Sequence, residues 1–287
     1  MTVSPMQQQA TYFGNESRYR LFKAVKYLVY LLLAFNVYLF LQEDLGSLAA
    51  TFAEGIEPGD LIQVFSATID TAVWVILLLM FELETAVLND SSIRGWVKRG
   101  LHGLRGLCYI ALVYALYGYW QEAATLYQVS PLSVADACTL LGGDYSLMVG
   151  LDDYVPLDAS NCAALGAQLF TVADFSVLVD DETLLAAQRL AWVDVINAAD
   201  WLLVVLVLEV EVRLQLRGYL SDRIMSATKV LKLVLYTILF LCAAYWAYAG
   251  TFLDFYDAAL WLFAFIFIEL NVFEWQYETV SEHPVAA

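Results

Sequence analysis

Histidine is almost missing from this chain: two residues in 287, His102 and His283, far apart in the sequence. Bis-histidine haem, copper and histidine-rich di-iron chemistry all gather several imidazoles at one centre, so they are excluded. Walker A, Rossmann and Gly-x-Ser-x-Gly patterns are absent as well. No phosphate cradle and no nucleophile can therefore be nominated, and the reading leans away from an enzyme. No cofactor and no metal site is expected. Residues 1–19 are polar, with no apolar run before a small-residue cleavage site. The first apolar segment, in place of a cleavable leader, is expected to target the chain. Positive charge is scarce too, with 14 Lys and Arg against 31 Asp and Glu. No nucleic-acid motif accompanies it, and no nucleic-acid partner is expected.

What is abundant is apolar surface. The chain is 61% hydrophobic with a mean hydropathy of +0.64, the composition of a protein that crosses a bilayer several times. Six stretches, near 27–41, 61–81, 104–120, 192–208, 233–249 and 256–270, approach the ~20 residues that a hydrocarbon core requires. Basic residues cluster before the first stretch, between the second and third, and between the fourth and fifth; Arg189 alone falls elsewhere. The positive-inside rule makes the basic face cytoplasmic, with both termini inside a multi-pass inner (plasma) membrane protein. The net charge of −17 resides mainly in the outer loops, above all between Glu122 and Glu182.

Four cysteines are present. Cys108 and Cys242 lie in apolar stretches and read as small buried hydrophobes. Cys138 and Cys162 share the long outer loop, where a disulfide would persist in an oxidising compartment. Gly142-Gly143-Asp144 is rich in turn residues, and 163–179 is apolar enough for a surface helix or re-entrant segment.

One pattern is written three times. Asp70, Trp74, Glu82 and Glu84 stand at offsets repeated by Asn197, Trp201, Glu209 and Glu211, then by Asp257, Trp261, Glu269 and Asn271. The odd stretches repeat as well: Lys23, Lys26 and Tyr30 recur as His102, Arg105 and Tyr109, then as Lys229, Lys232 and Tyr236. Tyr38, Gln42 and Glu43 correspond to Tyr117, Gln121 and Glu122. Each repeat is thus a basic-Tyr helix, an outer loop and an acid-Trp helix. Successive hairpins share one orientation, which predicts a pseudo-threefold axis along the membrane normal.

Helical geometry sorts these positions. At 100° per residue, Asp70, Trp74 and Glu84 fall within about 80°, whereas Glu82 sits on a shoulder about 120° from Asp70. The same holds for the other two repeats. Intramembrane acids are costly and are functional candidates by default. One reading has Glu82, Glu209 and Glu269 locked by Lys26, Arg105 and Lys232, a structural role that accounts for their presence by itself. The other has Asp70, Asn197 and Asp257 above, and Glu84, Glu211 and Asn271 below, lining a cation path with Trp74, Trp201 and Trp261 between. Asp194, Asn197 and Asp200 form a local polar run that reads as a wet outer turn ahead of a metal site. The six-helix triplicate plan resembles mitochondrial carriers in architecture alone. Their Pro-x-[Asp/Glu]-x-x-[Lys/Arg] motif is absent from the odd stretches, so no substrate site is carried over.

The expected fold is an all-α integral membrane protein: six transmembrane helices as three parallel hairpin repeats, with an outer cap between helices three and four. Residues 1–22 form a cytoplasmic tail, 23–90 the first repeat, 91–212 the second with its cap at 121–190, 213–277 the third, and 278–287 a cytoplasmic tail. The expected function is movement of cations or protons through a carboxylate-lined bundle. The alternative is a non-catalytic accessory subunit of a membrane complex, with the repeated pairs as internal locks. Besides the lipid bilayer, expected partners are the cation or proton itself and, because six helices leave little room for a pore, further copies in a homo-oligomer or another membrane protein.

Overall fold

The computed structural model describes residues 16–51, 61–84, 94–134, 136–166, 168–173, 175–216, 221–265 and 267. The chain is mostly helical. Helix α1 spans Glu16–Thr51, α2 Ser66–Glu82, α3 Trp96–Thr125, α4 Asp181–Leu216 and α5 Asp222–Ala249. Residues 252–265 form α6. A single turn, Leu61–Val64, runs into α2 through the bonds from Phe65 N to Leu61 O and from Ile69 N to Phe65 O.

The helix starts are written in the local sequence. Asp180 precedes α4 and its carboxylate accepts from Thr183 N at 2.7 Å, with Asp181 and Glu182 in the first turn favoured by the helix dipole. Ser221 caps α5 by accepting from Ile224 N. At α6, Thr251 Oγ1 accepts from Asp254 N while Asp254 Oδ2 accepts from Thr251 N, a reciprocal capping box. Gly118 in α3 is a packing glycine: a Cβ there would sit 2.6 Å from the Ile62 carbonyl oxygen. Only glycine permits α3 to approach the 61–64 turn this closely.

Between α3 and α4 lies a five-stranded sheet, so the expectation of an all-α fold is corrected. Strands β1 (Val129–Ser133), β2 (Ser146–Met148), β3 (Tyr154–Pro156), β4 (Gln168–Val172) and β5 (Val177–Asp180) are ordered β1-β4-β5-β2-β3. The β2–β5 pair is parallel and the others are antiparallel. Pro131 and Pro156 both lie on edge strands, where a missing N–H interrupts no ladder. The central strand buries Val177, Leu178 and Val179. The described part of the 163–179 segment therefore contains β4 and most of β5 in place of the expected surface helix or re-entrant segment. Its apolar runs are short enough to be strands, and composition alone does not separate the two. Two 3-10 turns, Ala137–Leu140 and Cys162–Ala164, are joined by the Cys138–Cys162 disulfide. Gly142, at φ 94°, supplies the left-handed residue after the first of them. The segment expected as a cap, 121–190, is helical at both ends, because α3 runs to Thr125 and α4 begins at Asp181.

Each of α1 to α4 packs on the next, and Tyr236 of α5 meets Phe265 of α6 with ring centroids 6.1 Å apart. Asn36 of α1 bonds Asp257 of α6, and Phe22 meets Phe267 with ring centroids 5.3 Å apart, so the helices close into a ring. The core of the ring holds Leu33, Leu78, Leu112, Val204, Leu239 and Ala264. The outside is apolar as well: Leu31, Ile110 and Leu233 are each more than 60% exposed. A helix apolar on both faces suits a lipid surround better than water. Among the described residues three helical segments, Arg20–Leu48, Asp181–Glu211 and Arg223–Ala249, are long and apolar enough to cross a membrane. Of the other predicted spans, α2 has 17 residues, α3 carries four basic or histidine residues near its start, and α6 is described only to 265.

Candidate functional site

The three repeated tryptophans meet. Trp74 of α2, Trp201 of α4 and Trp261 of α6 are all buried, with centroid separations of 5.9, 6.3 and 6.4 Å. The rings are mutually inclined rather than stacked, an arrangement that the indole quadrupoles favour. Phe265 packs against Trp201 at 4.7 Å. These rings belong to the continuous apolar core, which separates the two ends of the bundle.

On the sheet side of the indoles lies a cavity of about 280 Å³. Trp201 and Trp261 form part of its floor, and Asp70, Asn197 and Asp257, the first members of the three repeats, all line it. Seven further carboxylates join them. Helix α1 supplies Glu43 and Asp44, α3 Glu122, α4 Asp194 and α6 Asp254, while the 149–153 loop supplies Asp152 and Asp153. Among the described residues no Lys or Arg lines the cavity. Val149, Asp153 and Ala249 on its rim are exposed, so the cavity meets the outside of the bundle there.

Some of these carboxylates have neutral partners. Asp44 accepts from the Thr68 amide and hydroxyl, Asp194 from Trp246 Nε1 at 3.1 Å, and Asp257 from Asn36 Nδ2 at 2.7 Å. Ser47 of α1 donates to the Asp152 carbonyl at 2.8 Å, which ties the loop to the bundle. Burial pushes the Asp152 carboxyl up to about 7, with the charges of Asp254, Asp44 and Asp153 adding to the rise. So many carboxylates around one cavity cannot all remain ionised without a proton or a cation among them.

The opposite end of the bundle is built differently. Lys26 Nζ donates to both oxygens of Glu82, at 2.7 and 2.9 Å, and Tyr27 and Tyr30 hydroxyls donate to the same carboxylate. Arg105 pairs with Glu84 at 2.6 Å, and Lys232 with Glu211 at 2.9 Å. The repeat predicts Glu209 as the partner of Arg105, which instead pairs with Glu84, and Glu269, outside the described residues, as a partner of Lys232; both observed pairs join the last carboxylate of one hairpin to the first helix of the next. Glu209 bonds the Tyr109 hydroxyl and Arg213. Leu83 and Glu84 continue α2 as a π turn, which rotates Glu84 away from the straight-helix stripe and toward α3. Glu84 and Glu211 therefore carry cationic partners of their own. Glu269 and Asn271 lie outside the described residues.

Sequence periodicity thus finds three lining residues and the indoles, and misses most of the carboxylate wall. The correspondence of Glu43 with Glu122 is the signal that could have extended it, since both reach the cavity from matched positions on α1 and α3. Asp194 and Asp254, each three residues before the first member of its repeat, carry a second such signal, whereas Asp44, Asp152 and Asp153 follow no repeated offset. Asp200, from the local run on α4, is buried but does not line the cavity, and its Oδ2 has no hydrogen-bond partner. Among the described residues no group of three His, Cys, Asp or Glu is placed to hold a metal ion. No protein-family model, curated protein or solved structure matches the chain.

Proposed function

We propose that this protein binds cations or protons at the sheet end of a six-span bundle and moves them along its axis. The observation that carries this reading is the cavity whose wall, among the described residues, holds nine carboxylates and no basic residue. A low-dielectric recess of one sign concentrates counter-ions and repels anions. The three hairpins are arranged about a pseudo-threefold axis on which the indoles meet, and the sheet roofs the cavity on the outer side as a disulfide-bridged cap. Trp96 and Trp120 on α3 are exposed and about 36 Å apart along the helix, the spacing of interfacial aromatics on the two sides of a bilayer. The orientation is that of a plasma-membrane protein with both termini cytoplasmic. Packed indoles close the axis in this state, so passage requires either their rearrangement or a path between copies in a homo-oligomer.

Cation flux into proteoliposomes tests the proposal. Wild type should conduct, and Asp70→Asn and Asp257→Asn should each lower flux at least tenfold while the unfolding temperature is kept. Folded wild type that passes no cation at any voltage or pH defeats it. That result favours an accessory subunit, for which the three ion pairs at the far end are internal locks, and crosslinking to one abundant membrane partner would then identify the complex.

A further inference from the structure

One segment of the cavity wall is held less firmly than the helices around it. Residues 149–153 join β2 to β3, and all of them line the cavity. Strand β3 is an edge strand that pairs with β2 alone. Within the loop, Val149 N and Gly150 N donate to Asp153 O at 2.9 and 3.3 Å, and the Tyr154 hydroxyl donates to Leu151 O at 3.2 Å. The tip therefore keeps its own shape. Two contacts seat it on the bundle: the buried Leu151 side chain, and the Ser47 hydroxyl on the Asp152 carbonyl. Behind it lies a second cavity of about 60 Å³, lined by Ser47, Glu122, Leu151, Asp152 and Tyr154 among others, so packing on that face is incomplete.

Charge acts against those two contacts. The Asp152 carboxyl faces Glu43 and Asp44 of α1, Glu122 of α3, Asp194 of α4 and Asp254 of α6. Asp153 and Tyr154 stand beside it on its own hairpin. Among the described residues no Lys, Arg or His lines either cavity. Each proton lost from this group adds a like charge across the joint between loop and helices. The helical carboxylates are fixed by their helices, so the loop is the part that yields. Burial and the neighbouring charges hold the Asp152 carboxyl at about 7, so this joint gains charge near neutral pH.

We propose that the 149–153 loop is a pH-operated lid, seated on α1 while Asp152 and the carboxylates facing it share protons, and lifting from the cavity as they ionise. Lifting breaks the Ser47 bond and exposes Leu151, and the separation of like charges offsets both. The lid does not depend on ion movement, since a protein that passes no cation can still show it. The test uses the full-length protein in lipid nanodiscs, spin-labelled at Val149→Cys and Leu185→Cys, both exposed positions. Pulsed electron paramagnetic resonance reads the distance between the labels, and the native free thiols, Cys108 and Cys242, are buried away from the reagent. One distance should dominate at pH 5. At pH 8.5 a second distance should account for roughly half of the molecules or more. Asp152→Asn should keep the pH 5 distribution at pH 8.5, and Ser47→Ala should raise the second population about twofold at pH 7. A control pair at Leu45→Cys and Leu185→Cys, on α1 and α4, should not respond to pH. Identical distributions at pH 5 and 8.5 overturn the proposal, and that comparison needs neither Asp152→Asn nor Ser47→Ala to fold. A pH response that survives Asp152→Asn overturns it too, as does an equal shift in the control pair, which would make the whole bundle the part that moves.

Discussion

At the far end of the bundle each carboxylate of the repeated pattern among the described residues has a donor with a full charge or a phenol: Glu82 holds Lys26 and two tyrosines, Glu84 holds Arg105, Glu209 holds Tyr109 and Arg213, and Glu211 holds Lys232 and Thr228. At the sheet end nine carboxylates share one cavity, and their hydrogen-bond partners are hydroxyls, amides and indoles. The first arrangement is complete and the second is not. A closed pair contributes rigidity but leaves nothing for a ligand to add, whereas an unneutralised wall gains most from a cation arriving. The same residue type therefore serves stability at one end and binding at the other.

The largest effect should come from opening a closed pair. Lys26→Met leaves the Glu82 carboxylate buried among apolar groups without its counter-charge, and should cost about 3–5 kcal/mol of stability in detergent unfolding. Lys26→Met combined with Glu82→Gln should recover most of the loss. At the sheet end the corresponding change, Asp70→Asn, should leave stability unchanged or raised, because it removes one of several like charges. Similar losses at both ends would erase the distinction between them.

A smaller effect distinguishes the ends by pH. The Asp152 carboxyl sits at about 7, above its usual value near 4, so the folded protein holds this proton more tightly than the unfolded chain does. Its contribution to stability is full below pH 4 and is lost as pH rises through 7. Allowing for water at a half-buried group, the loss should be roughly 1–2 kcal/mol. Asp152→Asn should flatten the stability profile between pH 4 and 7, and a profile identical to wild type would remove Asp152 from the account.

The smallest effect sharpens what closure requires. Arg213 pairs with Glu209 at 3.2 Å across one helical turn, but its side chain is 71% exposed. Arg213→Ala should change stability by no more than about 0.5 kcal/mol. A loss comparable to that of Lys26→Met would mean that burial is not what separates strong pairs from weak ones in this bundle.

Much of this was legible in the residues. The stripe of Asp70, Trp74 and its two counterparts follows from helical periodicity, which is local, and the three indoles do meet. The Lys26–Glu82 contact lies within one hairpin, where the partner helix is the next along the chain. Arg105 and Lys232 were harder, because an angle on a helix says which way a side chain faces and not which neighbour stands there. The sheet was hidden because strands of three to five residues leave too short a pattern to separate from an apolar helix. Glu43 and Glu122 carried a repeated offset, but Asp152 and Asp153 reach the cavity only because the insertion folds back over it.

By itself, then, the sequence determined the helical hairpins, the thrice-repeated stripe and the two cysteines that share a loop, since each depends on spacing within a few turns of chain or on composition. Tertiary structure alone decided that Glu84 and Glu211 answer the following hairpin, that nine carboxylates from six segments surround one space, and that Asn36 reaches Asp257 across 221 positions. The physical reason is range: periodicity orients a side chain about its own helix axis, while charge and hydrogen bonding depend on which other helices close the ring.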